Sequence, residues 1–234
     1  MISRGCETGK KRGVTMPIDA AVLDVDGTVA TCPYDFEAMR AAIAEIAARW
    51  RVDVRSLGVR GIIEQIGRIA AHLREEGPAF REAAEAAVKE IELVAAEGAR
   101  ILPGAAEALA ELRRAGVSIA LITRNCRGAA EMVLRELDSY EVLLTRDDVP
   151  DPKPDPDHVL RSLAAMGRSA DRAVVVGDHG YDMQAGRAAG ARFCVAVRTG
   201  SSSDESLREA GADDVINALA DLPGWLRERG ELPR

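Results

Sequence analysis

The apolar run Ala20 to Leu23 ends in Asp24-Val25-Asp26-Gly27-Thr28, so two carboxylates two residues apart lie just past a strand-like segment. Open α/β sheets place their chemistry at the carboxyl ends of their strands. Gly27 lets the backbone turn away sharply at that point. Acidic residues and glycine also build ordinary strand-ending turns, so the string alone leaves both readings open. Three further polar clusters follow. Val117 to Ile122 runs into Thr123-Arg124-Asn125, Lys153 is held between Pro152 and Pro154, and Ala173 to Val176 runs into Gly177-Asp178-His179-Gly180-Tyr181-Asp182.

The order of these clusters is carboxylate pair, hydroxyl, lysine, carboxylate pair. In that order and spacing the chain resembles the haloacid dehalogenase superfamily of aspartate-nucleophile phosphohydrolases, and within it the phosphoglycolate-phosphatase-type subgroup with a helical cap. The resemblance covers roughly residues 18 to 220, and the motifs are specific together in a way that none is singly.

Hydrophobic periodicity divides the chain. Phe36, Met39, Ile43, Ile46 and Trp50 recur at helical spacing, as do Ile62, Ile63, Ile66, Ile69 and Leu73, and then Phe80, Ala84, Ala87, Ile91 and Val94. Asp35 and Pro78 are start signals for the first and last of these helices. From Pro103-Gly104 onward, strands alternate with helices. A helix carrying Ala105, Leu109 and Leu112 ends at Gly116, and Asp155-Pro156 opens another with Val159, Leu163 and Met166 on its apolar face. Arg192 to Val197 and Val215-Ile216 read as later strands, separated by the loop Arg198 to Ser203. Such alternation predicts an α/β fold with a Rossmann-like, mostly parallel sheet covered by helices on both faces, plus a small all-helical cap. The expected organisation is a flexible leader over 1–17, a hydrolase core over 18–32 and 101–234, and the cap over 33–100. Met16 is an alternative start.

Composition removes several classes. A chain of 234 residues that is 47% hydrophobic and 29% charged is that of a globular protein with room for one core and a small appended domain. A net charge of -7 argues against a nucleic-acid surface, and no apolar run is long enough to span a bilayer. Cys6, Cys32, Cys126 and Cys194 are scattered without zinc-ligand spacing, which points to a reducing cytoplasm.

The resemblance implies a phosphatase acting on a small phosphorylated metabolite. Asp24 is the expected nucleophile, forming an aspartyl-phosphate that divides hydrolysis into two easier displacements. Asp26 is the general acid for the leaving alcohol and then the general base for water. Thr123, Asn125 and Lys153 are expected to bind the phosphoryl group. Clustered aspartates repel unless a cation joins them, and oxygen-only donors suit Mg2+. The resemblance makes the Asp24 carboxylate, the Asp26 backbone carbonyl and the Asp178 carboxylate the direct ligands, with Asp182 orienting a metal-bound water or Lys153. Asp178 and Asp182 also suit helix capping.

Tyr34 and Arg60 are candidate specificity residues of the cap. Arg60, Glu64 and Arg68 share one helix face, which is also the pattern of a solvated surface. His179 reads as a hydrogen-bond partner rather than a ligand, and His72 and His158 as structural or exposed. The second acidic residue, Asp26, disfavours dehalogenase and phosphonatase chemistry. A phosphosugar mutase on the same core, and a catalytically slow sensing or partner-binding member, are the remaining alternatives.

Overall fold

A computed structural model of the chain describes residues 17–54, 58–59 and 61–233, so residues 1–16 of the expected leader, and Arg60, lie outside the described residues. The chain enters through β1 (Ala20–Asp24), turns, and forms the two-residue strand β2 (Ala30–Thr31). Three helices follow: α1 (Phe36–Arg49), α2 (Ile62–Leu73) and α3 (Gly77–Glu97). Strand β3 (Arg100–Ile101) then pairs antiparallel with β2, Ala30 opposite Ile101, so the entry to and exit from the helical block are stitched together.

The rest alternates as the sequence pattern predicts. α4 (Ala105–Arg114), β4 (Ser118–Ile122), α5 (Arg127–Val133), β5 (Val142–Leu144), α6 (Asp157–Ala165), β6 (Ala173–Gly177), α7 (Gly180–Ala188), β7 (Phe193–Val197), α8 (Asp204–Glu209), β8 (Asp214–Ile216) and α9 (Leu222–Glu228) follow in turn. The main sheet has six parallel strands in the order β5-β4-β1-β6-β7-β8. Alternate residues of β1 face opposite ways, because successive strand side chains point to opposite faces. Ala21 and Leu23 join Leu109, Leu112, Ala129 and Leu226 on one face, while Ala20 and Val22 join Val159, Leu163, Met183 and Leu207 on the other. Both faces are therefore dry, as a parallel sheet requires.

The sheet's strand order reverses at β1, which has β4 on one side and β6 on the other. Asp24 is in register with Ile122, and Leu23 with Val176. The three strands thus end level, and whatever follows each of them opens onto one crevice.

The helical block has its own core, in which Met39, Ile43, Ile66, Ile69, Phe80, Ala84 and Val88 pack together. Asp35 caps α1 by accepting from the Ala38 N–H at 2.8 Å. Two residues expected on apolar faces are exposed instead, Phe36 and Val94. Phe36 is the first residue of α1, before the buried stripe begins at Met39, and its ring lies against Tyr34 at 6.0 Å. Val94 faces outward because the last turns of α3 bury Glu92, Ala95 and Ala96 instead. Ala96 and Leu93 pack into the main core, so α3 runs from one hydrophobic cluster into the other. Among the described residues no helix is long and apolar enough to cross a membrane.

The ring of Phe80 is fully buried and meets Trp50 edge-on at 5.7 Å. Phe80→Ala is expected to cost about 3–5 kcal/mol through lost burial and the cavity left behind. Urea unfolding followed by circular dichroism checks this; a loss under about 1 kcal/mol would mean that the helical core is not packed as described.

Candidate active site

The turn after β1 is tied down by its own backbone. The Gly27 N–H donates to the Ala30 carbonyl at 2.7 Å, and the Val29 and Ala30 N–H groups both reach the Val25 carbonyl. Gly27 has φ +83°, a left-handed conformation that glycine adopts without penalty. A side chain there would also strike the Asp178 carboxylate at 2.6 Å. The glycine therefore serves both the turn and the close approach of a second strand end.

Lys153 is 3% exposed and lies between two carboxylates, with its Nζ 2.5 Å from Asp24 Oδ1 and 2.6 Å from Asp182 Oδ1. Burial opposes its charge, but Asp182 and Asp24 outweigh that and raise its pKa, so it remains an ammonium. Burial pushes Asp24 well above the usual carboxylate range; Lys153 opposes this, and the neighbouring aspartates add to it. Burial, with the Asp182 carboxylate behind it, brings Asp178 up to about 6. Asp182 also accepts from the His179 N–H at 3.1 Å, so it caps α7 with one oxygen and holds Lys153 with the other. Both roles foreseen for Asp182, at Lys153 and at the helix start, are thus occupied at once. One carboxylate oxygen of each of Asp24, Asp178 and Asp182 lies within 4.8 Å of the others. This all-oxygen donor set of like charges suits a hard divalent cation.

Asp26 forms a second centre. Its Oδ2 accepts from Thr123 Oγ1 at 2.8 Å and from Asn125 Nδ2 at 2.6 Å, and its Oδ1 accepts from the Tyr34 hydroxyl at 2.9 Å. Burial raises the Asp26 pKa, with the Thr123 and Tyr34 hydrogen bonds opposing. The register of β1 against β4 makes this possible, since it sets Thr123 beside the turn after Asp24.

These residues lie within the match to the model of haloacid dehalogenase-like hydrolases, which spans residues 18–190. The chain belongs to that family. The description of that family makes it a hydrolase. It is 29% identical over 228 residues to the plasmid phosphoglycolate phosphatase of Cupriavidus necator, covering 91% of this chain and 95% of that protein. It is 30% identical to protein CbbY of Cereibacter sphaeroides over 88% of this chain and 95% of that one. Among solved structures it resembles a hydrolase from Pseudomonas syringae, with a TM-score of 0.65, 25% identity, and coverage of 90% of this chain and 98% of the other.

In this haloacid dehalogenase-like hydrolase Asp24, Asp26, Thr123, Asn125, Lys153, Asp178 and Asp182 are all brought to one crevice. Tyr34, the candidate specificity residue that lies among the described residues, stands at the crevice beside Asp26. Its hydroxyl donates to Asp26 and accepts from Asn125 Nδ2 at 2.6 Å, because it directly follows the β2 exit beside the turn. From α2 of the helical block Glu64 reaches across, pairing with Arg124 at 2.6 Å. Arg124 also lies over the Tyr181 ring at 4.9 Å. Beside this bridge a cavity of about 480 Å³ opens between Ile63 and Glu64 of α2 and the Asp151–Pro156 loop that carries Lys153.

Three contributors had no signal in the sequence. His158, fully buried, accepts from the Lys153 N–H at 3.4 Å with Nδ1 and donates through Nε2 to the Thr145 carbonyl at 3.1 Å, so it props the lysine loop. Thr199 Oγ1 donates to the Gly27 carbonyl at 2.5 Å, and Gly200 lies so near Asp178 that a Cβ would stand 1.7 Å from Oδ2. Except for His158 with Lys153, five residues apart, these pairs are not local in sequence, and a lone histidine or a Thr-Gly in a loop carries no chemistry by itself.

Gly200→Ala is expected to displace the Asp178 carboxylate and weaken divalent-cation binding by about ten-fold or more, with the fold retained. Calorimetric titration with the cation is the measurement, and unchanged affinity would free Asp178 from this loop. A second test uses His158, whose pKa burial lowers from 6.5 to about 4. The folded state prefers the neutral ring, so this stability is complete above pH 6.5 and is lost as pH falls toward 4, up to about 3 kcal/mol. Urea midpoints of wild type minus His158→Asn across that window are expected to show the slope; a flat difference would contradict a neutral His158.

Proposed function

We propose that the chain is a magnesium-dependent phosphatase that hydrolyses a small phosphorylated metabolite through an aspartyl-phosphate on Asp24. The observation that carries this reading is the division of labour on one turn. Asp24 faces the buried Lys153 cation, while Asp26, two residues on, is held among the hydroxyl and amide donors of Thr123, Tyr34 and Asn125. This division supports Asp24 as the nucleophile and Asp26 as the carrier of a proton.

In the first step an Asp24 oxygen forms a bond to phosphorus as the bond to the leaving alcohol breaks. Asp26, whose pKa burial raises, supplies the proton that the departing alkoxide needs. In the second step Asp26 takes a proton from water, whose oxygen bonds to phosphorus and releases the Asp24 carboxylate. Lys153 presents its charge to the phosphoryl oxygens throughout, and Thr123 and Asn125 turn their donors between Asp26 and the phosphoryl group. The Asp24 and Asp178 carboxylates and the Asp26 carbonyl are assigned as magnesium ligands, with Asp182 behind Lys153. Bound magnesium would neutralise phosphoryl charge and keep Asp24 and Asp178 ionised against the burial that raises them.

The Cupriavidus relative is named for hydrolysis of a small phosphorylated acid, which supports a small metabolite as substrate. The cavity beside the Glu64–Arg124 bridge supports recognition of the rest of that molecule by residues of α2. Residues 33–100 are read as a cap over the crevice. Cys32, Cys126 and Cys194 carry free thiols, which suits a reducing cytoplasm.

Phosphate release from an aryl phosphate and from a panel of phosphorylated metabolites is expected to need magnesium and to stop with chelator. Asp24→Asn is expected to lower turnover by on the order of 10³-fold or more and to abolish the phosphoenzyme. Asp26→Asn is expected to lose about 10²–10⁴-fold in kcat with a smaller change in binding. Near wild-type turnover by Asp24→Asn, deamidation excluded, would overturn the covalent mechanism. Isomerisation of a sugar phosphate without phosphate release would replace the phosphatase with a mutase.

A further inference from the structure

Behind the Thr123-Arg124-Asn125 segment lies a buried ion pair that touches neither Asp24 nor Asp26. Glu92, on α3, is 3% exposed, and the Arg146 side chain that pairs with its Oε1 is 9% exposed. The other glutamate oxygen, Oε2, accepts from the Cys126 N–H at 3.1 Å. Arg146 Nη1 also donates to the Arg124 carbonyl at 3.1 Å, and the Arg146 backbone N–H donates to the Asn125 carbonyl at 3.3 Å. Three consecutive residues of the segment between β4 and α5 are therefore each held by a polar contact from this one pair of residues.

A buried ion pair is a poor device for stability alone, because desolvating two charges offsets most of their attraction. It is a good device for orientation, since each charge demands its partners at fixed angles. The segment it orients carries Thr123 and Asn125, whose donors meet the Asp26 carboxylate. Glu92 rises from the same helix that carries Phe80, Ala84 and Val88 into the helical block's core. The placement of α3 is thereby transmitted to the segment by a rigid contact.

We propose that Glu92 and Arg146 are positioning residues for this phosphoryl-binding segment, holding Thr123 and Asn125 in their reactive placement from behind and tying that placement to α3. The inference rests on the phosphatase reading for the use of the segment. Nη1 of Arg146 serves both Glu92 and the Arg124 carbonyl; Arg146→Lys keeps the charge but, on a shorter and differently shaped side chain, does not set a donor at that position. Glu92→Gln keeps the shape and an acceptor for Cys126 but loses the charge.

Glu231 provides a matched control. It is buried, accepts from the Ile18 N–H at 3.2 Å and pairs with Arg192 at 2.5 Å, but lies by the amino end of β1, away from the crevice. With magnesium and an aryl phosphate, Glu92→Gln and Arg146→Lys are expected to lower kcat by about ten-fold or more, with KM changed less. The inhibition constant for inorganic phosphate is expected to rise in both. Glu231→Gln is expected to lose thermal stability comparably while keeping kcat within about two-fold. Should a single variant fail to fold, the double variant Glu92→Leu/Arg146→Met, which removes both charges together, takes its place and is expected to show the same loss.

Near wild-type kcat and phosphate inhibition in folded Glu92→Gln and Arg146→Lys would reduce the pair to a structural contact and overturn the inference. An equal kcat loss in Glu231→Gln would do the same. If the wild type itself releases no phosphate, the phosphatase reading fails instead. The inference is then decided by calorimetric affinity for inorganic phosphate, which the same substitutions are expected to weaken; unchanged affinity would overturn it too.

Discussion

Lys153 stands between Asp24 and Asp182 with almost no access to water, and the crevice is organised around that contact. Burial and mutual repulsion drive the aspartates toward their protonated forms, and the ammonium is the cation within the protein that opposes this. Its position depends on parts of the chain far apart in sequence. His158 props the lysine's own backbone, Asp182 sits at the start of α7, and Asp24 ends the central strand. A shift in any of the three would leave buried charge without its partner, which is costly.

The level ends of β1, β4 and β6 make such a convergence inexpensive for the fold. Each strand is dry along its length and delivers polar residues only where the sheet stops, so the core and the chemistry do not compete for the same positions. The reversal of strand order at β1 opens the crevice between the helices of the two faces. Close approach is secured by absent side chains, Gly27 and Gly200 flanking Asp178 with no room for a Cβ.

The helical block meets this crevice at two points with different physics. Glu64 reaches Arg124 through a partly solvated ion pair beside a cavity, which suits a contact that substrate can replace. Glu92 reaches the same segment from within the core, where a buried pair resists exchange. In the proposed reading the first meets the substrate and the second holds the phosphoryl-binding segment.

Much of this molecule was legible from the sequence. Apolar runs ending in Asp24, Thr123 and Asp178, the helical spacing of Met39, Ile43, Ile66, Ile69 and Phe80, and the glycine after two carboxylates are local signals, because strand, helix and turn preferences act over a few residues. These determined the α/β fold, the helical insert and the residues of the crevice. The tertiary structure decided what those residues touch. Tyr34 reached Asp26, Asp182 met both Lys153 and the start of α7, and Phe36 and Val94 turned to solvent. His158, Gly200 and the Glu92–Arg146 pair became parts of the site only through contacts between distant segments. The reason is physical: a charge or a hydroxyl acquires its role from the partner that folding brings within about 3 Å, and local sequence does not name that partner.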